Sequence, residues 1–378
     1  MCAPRARTSA EAAPNAGFVH QMHRNDGPGR ATGAEPLPPA NGFGSCLRRL
    51  LVAVLAMGRG RFGNVSWPLL RGVPPPATAG PYHFPMQFAI DIPNFGDFAD
   101  PRLTAEIARE AEAAGWDAVW VWDHVQRDAG VPYADPWILL TVIALATERV
   151  RLGPMVTPLP RRRPWLVARE AVTLDILSGG RFTLGLGNGS PLREFTAFGE
   201  EADLRIRAAK LDEGLAIIEG LFSGRPFSFA GEHFTLHDVE FLPTPFQRPR
   251  MPIWLATTWP VPAPIRRAAR FDGTWPLRRA PDGTSAPLTP EDVRGVCSMI
   301  AEERAAAGLP PGIGEGPDAR PYDVLVAGVT PADDIAAASA TAAEFAAAGA
   351  TWWTERINSS RGSLAEMRRR VEAGPPRG

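Results

Sequence analysis

A short apolar segment that ends in an ionisable pair, Ala118 to His124, is the part of the chain best suited to do chemistry. A parallel strand that ends in Asp-His places titratable groups at its carboxyl end, where α/β sheets and barrels build active sites. Because side chains alternate along a strand, Trp120, Trp122 and His124 share one face. We therefore predict that His124 is a proton-transfer residue. The alternative is a structural histidine that caps the strand end through a backbone hydrogen bond.

Two further segments indicate an unusual backbone. Residues 152–158 have the pattern of a strand with Pro154 near its middle, and central strands avoid proline because it cannot donate to the ladder. Another strand ends at Gly187 and continues into Asn188 and Gly189, almost without side chains. Bare backbone at the carboxyl end of a barrel strand lets N–H groups approach a phosphate or a flat ring. Tight packing or turn formation is the alternative role for these glycines.

The elements that must position these residues alternate between strand and helix from Met86 onward. Strands are predicted at 87–93, 118–122, 151–157, 182–187, 253–257, 273–276, 322–329 and 351–355. Helices are predicted at 102–114, 136–147, 164–177, 205–221, 263–270, 290–307, 332–348 and 363–373. Eight strand–helix units match the ~250 residues typical of a (β/α)8 TIM barrel, an α/β fold. A doubly wound sheet is the alternative, but the first strand does not end in the Gly-rich dinucleotide-binding turn.

Aromatic residues alternate around a Gly-containing turn between 227 and 236. This pattern predicts a β-hairpin inserted between the fourth and fifth units of the barrel. His233 and His237 lie in or next to it, but no third ligand has suitable spacing for a metal site. We therefore expect a surface hairpin and no bound metal.

Composition excludes several classes of protein. The 378 residues have a formal net charge of -1 and 45% hydrophobic content, as in soluble globular proteins. Near-neutral charge argues against nucleic acid or an anionic membrane as a partner. Cys2, Cys46 and Cys297 are too scattered for a disulfide framework, so a reducing cytoplasm is the expected location. The three arginines at 161–163 are interpreted as a solvated charge run.

Residues 1–85 differ from the rest of the chain. They are rich in Pro, Gly, Ala and Arg and show no sustained helix or strand period, which predicts disorder. The apolar run from Leu50 to Met57 imitates a signal sequence but is too short to span a bilayer and lies inside the chain. We expect the folded domain to comprise 86–378. The preceding segment is then a dispensable extension or a mis-assigned translation start.

Five segments occur in an order and spacing that resemble one known family. They are 93–96 (Pro-Asn-Phe-Gly), 122–124 (Trp-Asp-His), 146–153 (Ala-Thr-Glu-Arg-Val-Arg-Leu-Gly), 178–181 (Ser-Gly-Gly-Arg) and 184–187 (Leu-Gly-Leu-Gly). With these motifs, residues 86–373 resemble the luciferase-like flavin-dependent oxidoreductases. That family contains bacterial luciferase-type monooxygenases and deazaflavin-dependent oxidoreductases. The resemblance implies a TIM barrel with flavin mononucleotide (FMN) or the deazaflavin coenzyme across its carboxyl-terminal mouth.

The resemblance also implies roles for individual residues. His124 matches a histidine near the edge of the flavin, and Met155-Val156 matches a non-prolyl cis peptide that contacts the ring. Asn188 and Gly189 match groups that contact the phosphate or the ring.

The same resemblance implies roles for two threonines and shows one departure. Thr257 and Thr258 match positions that face the phosphate in the luciferase branch. Ser190 is a departure, because the sugar-phosphate-oxidising deazaflavin branch has a catalytic glutamate there. This makes sugar-phosphate chemistry doubtful for this chain.

Five further residues are predicted to line the substrate pocket. Asp91 is a carboxylate in an otherwise apolar first strand, and Glu355 ends the last strand. A structural hydrogen bond is the alternative role for Asp91. The aromatic walls are predicted to be Trp122, Trp137 and Trp259, for which plain core packing is the alternative.

The sequence therefore predicts a monooxygenase that uses reduced FMN and O2 on a small organic substrate. A deazaflavin-dependent hydride-transfer oxidoreductase on the same fold is the first alternative, and a non-catalytic flavin-binding protein is the second. A flavin reductase, or another source of reduced flavin, is the expected partner of the monooxygenase. We also expect a homodimer without nucleic-acid or membrane partners.

Overall fold

Strands and helices alternate along the computed structural model, which describes residues 85–280, 284–313 and 320–377. The strands are β1 (Gln87–Ile92), β2 (Ala118–Val121), β3 (Arg151–Pro154), β4 (Thr157–Pro158), β5 (Leu184–Gly187), β6 (Phe227–Ala230), β7 (Thr235–Val239), β8 (Ile253–Trp259), β9 (Gly273–Arg279), β10 (Ser285–Ala286), β11 (Asp323–Gly328) and β12 (Trp352–Arg356). The helices are α1 (Pro101–Ala113), α2 (Pro136–Ala146), α3 (Pro164–Leu177), α4 (Arg193–Thr196), α5 (Leu204–Phe222), α6 (Pro262–Ala268), α7 (Pro290–Ala306), α8 (Ile335–Ala347) and α9 (Leu364–Glu372).

Parallel pairing closes the sheet into a barrel. Hydrogen-bonded neighbours run in the order β3-β2-β1-β12-β11-β9-β8-β5-β4. A parallel bridge between Leu152 of β3 and Phe182, just before β5, completes the ring. Because β3 and β4 are the two halves of one interrupted strand, the described residues form eight barrel strands. The predicted (β/α)8 barrel is confirmed.

The first two barrel helices each begin with a capping aspartate followed by a proline. In α1, Asp100 accepts a hydrogen bond from the backbone N–H of Arg102 at 2.8 Å, and Pro101 is the first helical residue. In α2, Asp135 caps the helix in the same way, ahead of Pro136. A proline at this position lacks only an N–H that would have no helical partner.

The barrel strands present one face to the interior and the other to the helices. Interior residues form a cluster of Ala89, Ala118, Trp120, Met155, Trp254, Trp275, Leu325 and Trp352. Within it, the rings of Trp120, Trp254 and Trp352 contact each other, with centroids 5.3 to 5.5 Å apart. The interior is therefore a packed core rather than a pore. By the same alternation, Asp91 lies on the interior face two residues after Ala89. Arg356 lies on the interior face four residues after Trp352.

The predicted hairpin insertion is also present. Strands β6 and β7 pair in antiparallel fashion and lie between the fourth barrel helix, α5, and the fifth barrel strand, β8. Glu213 of α5 accepts hydrogen bonds from the backbone N–H groups of residues 232, 233 and 234, at distances of 2.7 to 3.2 Å. A single carboxylate therefore fixes the turn of the hairpin to the barrel.

The disorder predicted for 1–85 concerns residues that lie, except for Pro85, outside the described part of the chain. Within the described residues, no helix has the length and apolar character needed to cross a membrane.

Candidate active site

The backbone of His124 is held by one buried side chain. Asn94, which follows β1, accepts a hydrogen bond from His124 N at 3.1 Å and donates one to His124 O at 2.7 Å. The same amide donates to the carbonyl of Ala134 at 2.7 Å. Asn94 is fully buried, so water does not compete for these bonds. The chain therefore leaves β2 along a fixed path, and that path sets the position of the imidazole.

The imidazole of His124 is fixed separately, by Glu194 of the short helix α4. Its Nδ1 lies 2.7 Å from Glu194 Oε2. The other carboxylate oxygen accepts the backbone N–H groups of Val125 at 2.8 Å and Gln126 at 2.9 Å. Because an ionised carboxylate can only accept, Nδ1 carries the proton of this bond. In the neutral ring, Nε2 is then the free base.

Glu194 is suited to this role because it stays ionised. Burial of its carboxyl acts to raise the pKa, but the hydrogen bond and charge of His124, the Arg161 guanidinium and the Gln126 N–H outweigh it. The net effect lowers the pKa of Glu194 below its usual value. At neutral pH the carboxylate therefore orients the imidazole and stabilises its protonated form.

Arg161 connects Glu194 to a second carboxylate. Its Nη2 donates to Asp123 Oδ1 at 3.1 Å, and its Nη1 lies 3.7 Å from Glu194 Oε2. Asp123 also accepts the hydroxyl of Thr157 at 2.6 Å and a guanidinium N–H of Arg162 at 3.2 Å. The Arg161 side chain is only 4% exposed. The interpretation of 161–163 as a solvated charge run is therefore wrong for Arg161, which is part of the site.

The segment between β3 and β4 has the irregular backbone that the sequence indicates. The peptide bond between Met155 and Val156 is cis. Met155 belongs to the interior cluster, and Val156 packs against it. A Cβ at Gly187 would lie 2.8 Å from Val156 Cγ2, so the glycine leaves the space that this side chain occupies. Val156 therefore presents an apolar surface inside the barrel.

The turn after β5 holds a further polar group. Asn188 Oδ1 is buried and has no hydrogen-bond partner among the described residues. Gly189 has a φ of 87°, which favours glycine, and its carbonyl accepts a hydrogen bond from Arg207 at 3.4 Å. The guanidinium of Arg207 lies 4.0 Å from the ring centroid of Phe195. Asn188 Nδ2 donates to Leu204 O of α5 at 3.3 Å, so Oδ1 is left as an acceptor that a hydrogen-bonding ligand can satisfy.

The two predicted phosphate-facing threonines lie on opposite faces of β8. Thr257 is buried, with its hydroxyl 3.0 Å from that of Thr274, which itself donates to Leu255 O. It faces the helix layer, so its predicted phosphate contact is wrong. Thr258 is half-buried and, by alternation from Trp254, faces the interior side. Its role in phosphate binding stays a prediction.

The three predicted tryptophan walls are placed differently. Trp122 contacts the rings of Phe95 and His124, with centroids 5.9 and 6.1 Å away, and therefore borders the site. Trp137 packs in the layer between strands and helices. Trp259 donates from its indole N–H to Asp292 of α7 at 3.0 Å. The predicted pocket role of Trp259 is wrong, because its side chain lies on the outward face of β8. The pocket role of Trp137, at the start of α2, stays a prediction.

The two predicted pocket carboxylates also differ. Glu355 is on the outward face of β12, where Thr330 donates to it from N at 2.7 Å and from Oγ1 at 2.6 Å. Arg361 and Arg370 pair with the same carboxylate. Glu355 is therefore a structural residue and its predicted pocket role is wrong. Asp91, in contrast, faces the interior and is fully buried.

Glu194, Asn94 and Arg161 were missed as site residues by the sequence prediction. Asn94 was noted only within a motif, and Glu194 lies 70 positions after His124. An available signal was that 94, 124, 161 and 194 all follow predicted barrel strands, whose carboxyl ends meet at one mouth.

A large cavity lies at the other end of the barrel. It has a volume of about 960 Å³ and is lined at the starts of the strands by Gln87, Arg151, Asp272 and Asp323. Arg151 donates to Thr183 Oγ1 at 2.8 Å, so it already has a partner. Residues at this end of a TIM barrel generally serve stability.

Comparisons with known proteins identify the family. A model of the luciferase-like monooxygenase family matches residues 86–375. An F420-dependent hydroxymycolic acid dehydrogenase of Mycobacterium tuberculosis is 34% identical over 199 residues, which cover 50% of this chain and 52% of the relative. An F420-dependent glucose-6-phosphate dehydrogenase of Kineococcus radiotolerans is 37% identical over 158 residues, covering 40% and 45%. A 4-hydroxyprotoasukamycin monooxygenase of Streptomyces nodosus subsp. asukaensis is 35% identical over 160 residues, covering 41% and 42%.

The chain thus spans about half the length of the curated relatives it matches. Among solved structures, an F420-dependent secondary alcohol dehydrogenase has a TM-score of 0.62 at 18% identity, covering 78% of this chain and 99% of that one. The monooxygenase RslO1 of Streptomyces bottropensis has a TM-score of 0.60 at 22% identity, covering 76% and 97%. At these identities the two structures support the fold.

Proposed function

Because the chain belongs to the luciferase-like monooxygenase family, we propose that it is an oxidoreductase that uses the deazaflavin coenzyme to exchange a hydride with a small alcohol. The named substrates of the two dehydrogenase relatives both carry hydroxyl groups. These relatives favour the hydride-transfer alternative over the FMN monooxygenase that the sequence analysis put first.

The anchored imidazole of His124 is the observation that carries the proposal. Oxidation of an alcohol removes a hydride from carbon and a proton from oxygen, so the protein must supply a base for that proton. Glu194 holds Nδ1, and no described residue is hydrogen-bonded to Nε2. Nε2 can therefore accept the substrate proton, and Glu194 stabilises the imidazolium that results.

Other residues would hold the coenzyme, which when bound supplies the hydride acceptor. Val156 would pack against the ring, and Asn188 Oδ1 would accept a hydrogen bond from its polar edge. Thr258 would donate to the phosphate from the interior side of β8. Trp122 and Phe95 would exclude water beside His124.

A monooxygenase that uses reduced FMN is the second candidate. Ser190 favours it, because this chain lacks the glutamate that the resemblance associates with sugar-phosphate oxidation. The relative named as a monooxygenase supports it as well. In that case a flavin reductase would be the partner that supplies the reduced cofactor.

Titration of the purified protein with each cofactor distinguishes the candidates. We expect the deazaflavin coenzyme to bind with a saturating change in its fluorescence, and FMN to bind at least tenfold more weakly. The bound coenzyme should then lose its visible absorbance when secondary alcohols are added. Tighter binding of FMN, with oxygen consumption in the presence of reduced FMN, would support the monooxygenase instead. Absence of binding by both cofactors would refute both candidates.

A further inference from the structure

Asp91 is a buried carboxylate that no described residue holds in a full hydrogen bond. It has no exposed surface, and neither oxygen accepts a hydrogen bond from the described residues. It lies at the carboxyl end of β1, on the interior face and beside Trp120 in the register of β1 and β2. An unsatisfied buried carboxylate is costly, so such a group at an active-site end of a barrel indicates a ligand.

The side chains around Asp91 include unpaired donors. The indole N–H groups of Trp120 and Trp122 and the hydroxyl of Thr354 are buried without hydrogen-bond partners among the described residues. The Trp122 indole N–H acts as a weak donor that lowers the pKa of the Asp91 carboxyl, without reaching the geometry of a full hydrogen bond. One acceptor and several donors thus line the same part of the interior. A hydroxyl group, which both donates and accepts, can satisfy such a set.

The charges near Asp91 favour a neutral ligand. Arg356 is the Cα partner of Asp91 in the register of β1 and β12. Its guanidinium lies over the rings of Trp122 and Trp275, 5.9 and 6.0 Å from their centroids. Arg356 balances the carboxylate, and Arg361, the second cation that acts on it, is paired with Glu355. A cationic amine would therefore add an uncompensated charge. An anion would be repelled by Asp91 itself.

The hydroxyl at Asp91 is separate from the one that reacts at His124. Trp122 contacts the His124 ring, with centroids 6.1 Å apart, and also acts on the Asp91 carboxylate. One oxygen could bind both residues only if it lay within about 3 Å of each. Asp91 is level with Trp120 in the register of β1 and β2, and His124 follows Trp120 by four residues, so the two side chains lie at different levels of the barrel mouth and do not allow that geometry. The substrate must therefore carry two hydroxyl groups separated by about the width of a ring.

We propose that Asp91 is a substrate-binding residue whose carboxylate accepts a hydrogen bond from the second hydroxyl of a neutral diol or polyol. The inference rests on the proposed function, because the first hydroxyl is the one that His124 would deprotonate. Trp122 and Trp275 would pack against the carbon skeleton, as aromatic rings do with polyols. The site would then prefer uncharged polyhydroxy compounds over phosphorylated ones.

Cyclohexanol and 1,4-cyclohexanediol, which differ by one hydroxyl group, test this inference as matched probes. Binding is measured by tryptophan fluorescence of the cofactor-free protein, and turnover by loss of the coenzyme's visible absorbance. We expect the diol to bind about ten- to a hundredfold more tightly than cyclohexanol, since a hydrogen bond to a charged group typically has that effect. In Asp91→Asn the preference should shrink, and in Asp91→Leu it should vanish, through KM with little change in kcat. Cyclohexanol itself should bind all three proteins equally.

Glu355→Gln is the control, because it alters a buried carboxylate at the end of the neighbouring strand but on the outward face. It should lower the melting temperature and keep the preference for the diol. Equal binding of diol and cyclohexanol by the wild type would overturn the inference. So would an equal loss for both compounds in the Asp91 variants. If the diol preference in binding is present but no alcohol is oxidised, the proposed function fails while the binding role of Asp91 stands.

Discussion

At the scale of single residues, the site depends on how one imidazole is restrained. Asn94 holds the backbone of His124 from both sides, and Glu194 holds Nδ1. A histidine that served only to cap a strand would not need an ionised acceptor behind its ring. The arrangement is that of an oriented base, in which a carboxylate selects the tautomer and stabilises the protonated ring.

Replacement of His124 tests this assignment. We expect His124→Ala to lower turnover by about 10²- to 10⁴-fold, the range typical of a lost general base. Coenzyme affinity should change less than threefold, because Val156 and Asn188 are untouched. Steady-state kinetics and fluorescence titration measure the two quantities. Glu194→Gln is the matched variant and should show a smaller loss of turnover. Near-normal turnover in His124→Ala would contradict the catalytic role.

Asp91 predicts a pH dependence of stability. Burial raises its pKa from 3.8 to about 6, although Arg356, Trp122 and Arg361 oppose the rise. The folded state therefore holds this proton more tightly than the unfolded state, so stability falls as pH rises from about 4 to about 6. The shift corresponds to about 3 kcal/mol of folding free energy between the two ends of this pH range.

Asparagine does not titrate, so the stability of Asp91→Asn should not fall in this pH range. Its free energy of unfolding should therefore rise relative to that of the wild type as pH rises from about 4 to about 6. Urea unfolding at pH 4.5, 6 and 7.5 measures the difference. A difference that is constant with pH would show that Asp91 is not a buried charge.

The residue-scale site was only partly readable from the sequence. His124 was found because strand alternation and a strand end are local patterns. Glu194 was not found, because its proximity to His124 depends on how the loops after β2 and β5 meet at the mouth. Thr257 and Glu355 were misplaced for a simpler reason. Their strands end in the right place, but both side chains lie on the outward face.

At the scale of elements, strand β8 places Thr257 on its outward face and Thr258 on its interior face. Thr258→Val should weaken coenzyme affinity by about ten- to a hundredfold if its hydroxyl binds the phosphate. Thr257→Val, one residue earlier, should keep affinity and instead lower stability by about 1 kcal/mol, because its bond to Thr274 is lost. Fluorescence titration and thermal unfolding distinguish the two. Unchanged affinity in Thr258→Val would place the phosphate elsewhere.

The hairpin of β6 and β7 depends on α5 for its position. Glu213 receives three backbone N–H groups of the turn, so Glu213→Ala should release it. We expect faster hydrogen exchange across 227–239 and unchanged exchange in the barrel strands, measured by mass spectrometry. Coenzyme affinity should be the same as in the wild type. Accelerated exchange throughout the barrel would show that the hairpin is part of the core instead.

Most elements were predictable because hydrophobic period and helix caps are local signals. The helix predicted at 164–177 agrees with α3 at both ends, and Pro164 marks its start. Strands β8 and β9 extend to Trp259 and Arg279, beyond the predicted ends at 257 and 276, because their pairing continues there. Helix α4 was not predicted, since four residues carry no readable period. That helix carries Glu194, so a missed element is also a missed site residue.

At the scale of the whole molecule, the two ends of the barrel differ in character. The carboxyl end gathers the His124–Glu194 pair, the buried Asp91 and the turn at Asn188. At the other end, Arg151 bonds to Thr183, and Trp352 donates to Asp323 at 3.1 Å. Function and stability are thus assigned to opposite ends, as is usual for this fold. The expected homodimer stays a prediction, which light scattering of the purified protein tests.

The folded domain starts at the first barrel strand. Strand β1 begins at Gln87, whose N–H bonds to Thr351 O at 2.9 Å, and the family match begins at residue 86. Every barrel strand therefore lies downstream of Met86. A chain that begins at Met86 should unfold cooperatively within about 2 °C of the full-length protein, since a shift of that size is well under 1 kcal/mol. It should also bind the coenzyme with the same affinity. A chain that begins at Ile90 is the control and should not fold, because it lacks the first half of β1. Loss of cooperative unfolding in the Met86 chain would show that residues 1–85 contribute to the core.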